Sequence, residues 1–191
     1  IFDEIFLNET YKFLLRETND IIYNTRLSYW LATFPHDFID FGLSLLSEED
    51  KKNIFKNKVT NPLIVLCTLS KKEYIDLFSI NRIEKRKSEI KKIIKCMINY
   101  GLNVDNTDYL ERTPLMYAAR NGNLELIKIL VNEFNADINK EIKHSHSGFE
   151  ISPLNIALIC AQIKATNYFL EHKSIKLNKN KAGLYYKLAV S

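Results

Sequence analysis

The sequence predicts an all-α fold: a solenoid of stacked helix pairs with an N-terminal helical cap or subdomain. Three observations lead there. The chain of 191 residues is 46% apolar and 12% aromatic with only five Gly and four Pro, which suits packed helices rather than a loop-rich chain. A Pro-Leu step recurs in three segments, TNPLIVLCTLS from Thr60, RTPLMYAARNG from Arg112 and ISPLNIALICA from Ile151. Each is followed by a second stretch with apolar residues at helical spacing. Pro lacks a backbone N–H, which costs nothing in the first turn of a helix, so each Pro marks a helix start.

In chain order, residues 1–55 form an N-terminal helical region, with helices expected at Phe2–Arg16, Asp20–Leu31, Asp37–Leu46 and Glu48–Phe55. Ser47 with Asp50 makes an N-capping pattern ahead of the fourth. The aromatic residues Trp30, Phe34, Phe38 and Phe41 suit a cap over the end of a stack, because a terminal repeat needs its apolar face covered. The second helices of the pairs carry Ile90, Ile93, Ile94, Met97 and Ile98, then Leu124, Ile127, Leu130 and Val131, then Ile163, Tyr168 and Phe169. That spacing gives one apolar stripe per helix. Such a pair buries only one face by itself and is stable only when stacked.

The middle unit, DYLERTPLMYAARNGNLELIKILVNEFNADIN from Asp108 to Asn139, resembles an ankyrin repeat. Asp108, Thr113, Pro114, Leu115, Ala118, Ala119, Gly122, Leu124, Leu130, Ala136, Asp137 and Asn139 match the family pattern. Glu111 stands where the family has Gly, and Met116 where it has His, so the hydrogen bonds of that His are expected to be absent. The resemblance divides residues 56–191 into units at about 57–107, 108–141 and 142–180, with a partial unit at 181–191. The regular repeat is about 33 residues. The longer spacings here imply an insertion between two helices at Lys71–Glu89 and another in the finger loop EIKHSHSGFE ending at Glu150.

In this family the finger loops and first-helix faces line the binding surface. Carried over by position, the resemblance implies contacts from Tyr109, Leu110, Arg112, Met116, Arg120 and Asn121 in the middle unit. Phe149, Ile151, Ile159 and Cys160 follow in the next, and Lys58, Thr60, Thr68 and Leu69 precede them. Aromatic residues, Met and Arg are the types that anchor protein interfaces. Packing of Leu110, Phe149 and Ile151 on adjacent fingers is the competing reading.

Several function classes find no support. The net charge is +4, and the basic run RIEKRKSEIKK from Arg82 is broken by Glu84 and Glu89 and carries no aromatic residue, so no nucleic-acid partner is expected. No apolar run reaches the roughly 18–20 residues of a membrane span. His144 and His146 lack the further ligands a zinc site needs, so neither metal nor cofactor is expected. Cys67, Cys96 and Cys160 lie far apart in apolar helical patterns and read as buried thiols of a reducing, cytoplasmic compartment. No catalytic residues emerge, and the expectation is a non-enzymatic scaffold binding another protein.

FPHDFIDFGLSLLSEEDKKNIF, from Phe34 to Phe55, also resembles an F-box, through Phe34, Pro35, Asp37, Phe38, Leu43, Leu46, Ser47, Glu49 and Asp50. That resemblance implies a Skp1-type adaptor as partner and a role in recruiting a ubiquitin ligase. Gly42 and Lys51 replace apolar positions of the pattern. The Lys-, Asn- and Ile-rich composition and the start at Ile1 raise a third reading: the ankyrin part of a larger bacterial or viral effector enzyme that meets a host protein.

Overall fold

The Pro residues that open each repeated segment stand at the first positions of helices in the computed structural model, which describes residues 28, 31–32, 34–59, 61–69, 83–143 and 150–177, with backbone alone at 83–86. The fold is mostly helical: α1 His36–Leu45, α2 Glu48–Phe55, α3 Pro62–Thr68, α4 Ile83–Asn99, α5 Pro114–Arg120, α6 Leu124–Asn132, α7 Pro153–Ile159 and α8 Ile163–Glu171. The expected helix Phe2–Arg16, nearly all of Asp20–Leu31 with Trp30, and the partial unit at 181–191 lie outside the described residues. So do Thr60, His144, His146 and Phe149. The described residues fall into two compact units, dividing the chain as Ile1–Leu66 with Lys72–Asn103, and Cys67–Lys71 with Val104–Ser191.

In the first unit α1 lies against α4. Ile39, Gly42 and Leu43 supply the buried face of α1, while Ile90, Ile93, Ile94 and Met97 supply that of α4. Ser47 caps α2 as its sequence pattern predicts, its hydroxyl accepting the Asp50 N–H at 3.1 Å. The insertion expected at Lys71–Glu89 is shorter than the spacing suggested, because Ile83–Glu89 forms the opening turns of α4. Lys, Glu and Arg are good helix formers, and no Gly or Pro interrupts the run.

Glu89 ties the start of α1 to α4: its carboxylate accepts the His36 N–H at 2.8 Å and meets the ring Nδ1 at 2.7 Å. Burial pushes the Glu89 carboxyl up, but the His36 backbone and ring bonds, with Lys92 nearby, outweigh it and leave it below its ordinary value. Of the residues in the F-box-like pattern, Leu43 and Leu46 are buried within the unit, while Phe34, Pro35, Asp37 and Glu49 are exposed. Lys51 is buried along its stem, its ammonium bonded to Glu48 at 2.6 Å and 5.0 Å above the Tyr100 ring.

Among its described residues the second unit holds two complete helix pairs. α5 packs on α6 and α7 on α8, and the pairs stack through α5 on α7 and α6 on α8. Ala118, Ala119 and Ala157 are fully buried, their small side chains letting these backbones approach. Thr113 and Ser152 cap α5 and α7, their hydroxyls accepting the N–H groups of Met116 and Asn155. The first helices end alike. Gly122 N–H reaches Ala119 O, and Asn123 N–H reaches Ala118 O, with Gly122 at φ 61°. Ala161 at φ 52° repeats this: its N–H reaches Leu158 O, and the Gln162 N–H reaches Ala157 O. This is the Schellman ending, which wants Gly at the left-handed position.

Ala161→Gly should therefore raise stability by about 0.5–1 kcal/mol, seen as a higher urea midpoint. Gly122→Ala should lower it, since a Cβ there would also meet the Gln162 amide.

The tails latch to one another. The Asp105 carboxylate accepts the Asp137 N–H at 3.1 Å. Asn139 accepts from Lys176 N–H at 2.7 Å and donates to Ser174 O at 2.8 Å. The finger insertion adds a feature that an all-α expectation omits: strands β1 Ile142–Lys143 and β2 Glu150–Ile151 pair antiparallel, Ile142 opposite Ile151 and Lys143 opposite Glu150. A loop that leaves and returns to one place can satisfy its backbone groups by pairing its own ends.

Candidate partner-binding groove

The finger of the middle repeat is built on one carboxylate. Asp108, buried, accepts the N–H groups of Leu110 at 2.9 Å and Arg112 at 2.8 Å, and the Tyr117 hydroxyl from α5 donates to it at 2.6 Å. Backbone bonds from Asp108 N–H to Arg112 O and from Glu111 N–H to Asp108 O, both 3.0 Å, close the same turn. Tyr109 and Leu110 are left at its apex, 68% and 41% exposed. Glu111 takes the left-handed conformation, φ 61°, at the position where the family pattern has Gly. The Arg112 guanidinium lies 5.7 Å from the Tyr117 ring centre, a cation–π contact that holds it at the finger's base.

These groups border a groove of about 940 Å3, lined by the two fingers and by the first helices α5 and α7. Of the residues that the family resemblance implied, Tyr109, Leu110, Arg112, Met116, Arg120, Ile151, Ile159 and Cys160 line it. Their roles differ. Ile159 is 54% exposed and Arg120 projects into solvent, whereas Met116 is 1% exposed and belongs to the core beneath the groove floor.

Asn121 does not line the groove. Its side chain donates to the Cys67 and Thr68 carbonyls at 3.0 and 3.2 Å, a fixed role at the end of α5. In the preceding unit Lys58 and Thr68 are exposed and Leu69 is buried. Cys160 is half-buried, unlike the fully buried Cys67, because it caps the end of α7 beside the groove.

Sequence reasoning missed Tyr117, Ile156, Ile142, Lys143 and Glu111 as lining residues. Tyr117 and Ile156 stand three residues before Arg120 and Ile159, so helical spacing from those two would have found them. Burial lifts the Tyr117 phenol, and its bond to Asp108 lifts it further, to about 12. Among the described residues no group of three or more His, Cys, Asp or Glu could hold a metal, and no helix is long and apolar enough to cross a membrane.

Comparison with known proteins agrees with this geometry. The family model for ankyrin repeats (3 copies) matches residues 83–142. No curated protein matches the chain. Among solved structures, a chain in the crystal structure of the yeast ribosomal protein Rps3 in complex with its chaperone Yar1 aligns with a TM-score of 0.58 at 15% identity. The alignment covers 84% of this chain and 99% of that one. An identity that low speaks for the fold alone. The matched span takes in α4, α5, α6 and the start of the ladder, and its Thr-Pro-Leu opening and Gly122 turn are those of the family pattern: residues 83–142 of the chain are ankyrin repeats.

Proposed function

We propose that the chain is a protein-binding scaffold that holds a partner along the groove between its fingers and first helices, and that it performs no chemistry there. One observation carries the reading: finger and helix residues separated in sequence converge on one open groove, with large apolar side chains of Tyr109, Leu110 and Ile159 left exposed on it. Exposed apolar groups beside Arg are the composition of interface anchors. The yeast chain of similar fold comes from a complex between a chaperone and a ribosomal protein, a use of the same kind.

Replacing Tyr109, Leu110 and Arg120 together by Ala should weaken partner capture from the native cell at least about tenfold. All three are exposed, so the circular dichroism melt should stay in place. Capture at the original level by this triple variant would remove the groove from the function.

A further inference from the structure

The charges around the groove are unequal. Among the described residues that line it, Arg112, Arg120 and Lys143 stand against the single carboxylate of Glu111. Arg120 and Lys143 are exposed and form no ion pair among the described residues. Arg112 is held over a neutral ring rather than a carboxylate. The same lining carries the aliphatic side chains of Ile151, Ile156 and Ile159.

Resting on the scaffold reading above, we propose that the groove's occupant is an acidic, extended segment of another protein, carrying one or two large apolar side chains among its carboxylates. Guanidinium groups match carboxylates in a planar, two-bonded fit, and a cationic rim around an apolar floor attracts such a segment while repelling basic ones. The groove volume lies near the top of the range of roughly 300–1,000 Å3 for ligand clefts. It therefore suits a short stretch of chain with an anchor residue.

Nucleic acid also answers to basic grooves, but it needs aromatic faces on which bases stack. Among the described residues that line the groove, Tyr109 is the one exposed ring. Tyr117 is covered by Arg112 and tied through its hydroxyl to Asp108.

The test is a selection of displayed random twelve-residue peptides against the full chain, followed by affinity measurements on synthetic versions. The enriched peptides should carry net negative charge with at least one large apolar residue. Their affinity should fall about tenfold with Arg120→Ala, and it should weaken further as salt screens the rim. The double variant Arg120→Glu with Lys143→Glu should turn the selection toward basic peptides.

Neutral or basic peptides that still lose binding with Ile159→Asp would overturn the acidic preference and leave the groove reading intact. Peptides indifferent to Ile159→Asp and to the charge reversals would overturn both. Displacement of the peptides by single-stranded oligothymidine at comparable affinity would reassign the rim to nucleic acid, and a selection with no enrichment would also overturn the proposal. Arg120, Lys143 and Ile159 are exposed, so circular dichroism should report folded variants throughout.

Discussion

Asp108→Ala is expected to lower the stability of the second unit by about 3 kcal/mol, the scale of losing several hydrogen bonds to one ionised acceptor. The residue is buried and serves three donors at once: two backbone N–H groups of the finger and the Tyr117 hydroxyl. Ala would leave these donors without their acceptor, and the turn that presents Tyr109 and Leu110 would lose its closure. Partner binding should therefore fall together with the urea midpoint, whereas the exposed triple variant loses binding alone.

The same carboxylate leaves a mark at alkaline pH. A phenol raised from an ordinary value near 10 to about 12 in the folded chain adds stability that is fully present below about pH 10 and is lost as pH rises through 12. In Asp108→Ala the lift from that bond disappears, so the alkaline loss of stability across this window should be shallower than in the parent. An equal slope in both would show that Tyr117 does not depend on Asp108.

Phe169→Ala should cost about 3–5 kcal/mol, the range for emptying a buried aromatic site. Phe169 has no solvent exposure, sits on α8, and meets the Tyr168 ring at a centroid distance of 5.8 Å. α8 packs on both α7 and α6, so loosening it reaches both helix pairs. Repeat stability is a sum of local terms and neighbour interfaces. Amide exchange in Phe169→Ala should therefore quicken most in α7 and α8 and less in α5. Equal acceleration over all four helices would mean that the pairs open as one cooperative block.

What the sequence made legible were features written in local backbone chemistry. Pro114 and Pro153 at helix starts, the Ser47 cap and the Gly122 turn each need only a few neighbouring residues, and each stands where the pattern put it. The groove was partly legible for the same reason, since finger and helix positions follow from the repeat register. Met116 shows the boundary of that reasoning. It shares the register of surface residues, yet packing turns it into the core. The His36–Glu89 contact was not legible at all, because its partners are 53 residues apart and neither belongs to a repeat signature. The length of α4 was obscured by charge, since a polar run reads equally as a loop or as the solvated turns of a helix.

The two-residue ladder at the second finger has a consequence for redesign. Lys143 and Glu150 form a clasp, so whatever sequence runs between them begins and ends at one fixed place on the groove's edge. Segments of other lengths could be spliced between these residues without disturbing the caps and turns that hold α7. The clasp turns an irregular spacing into a place where chain of another length can be exchanged while the scaffold is kept.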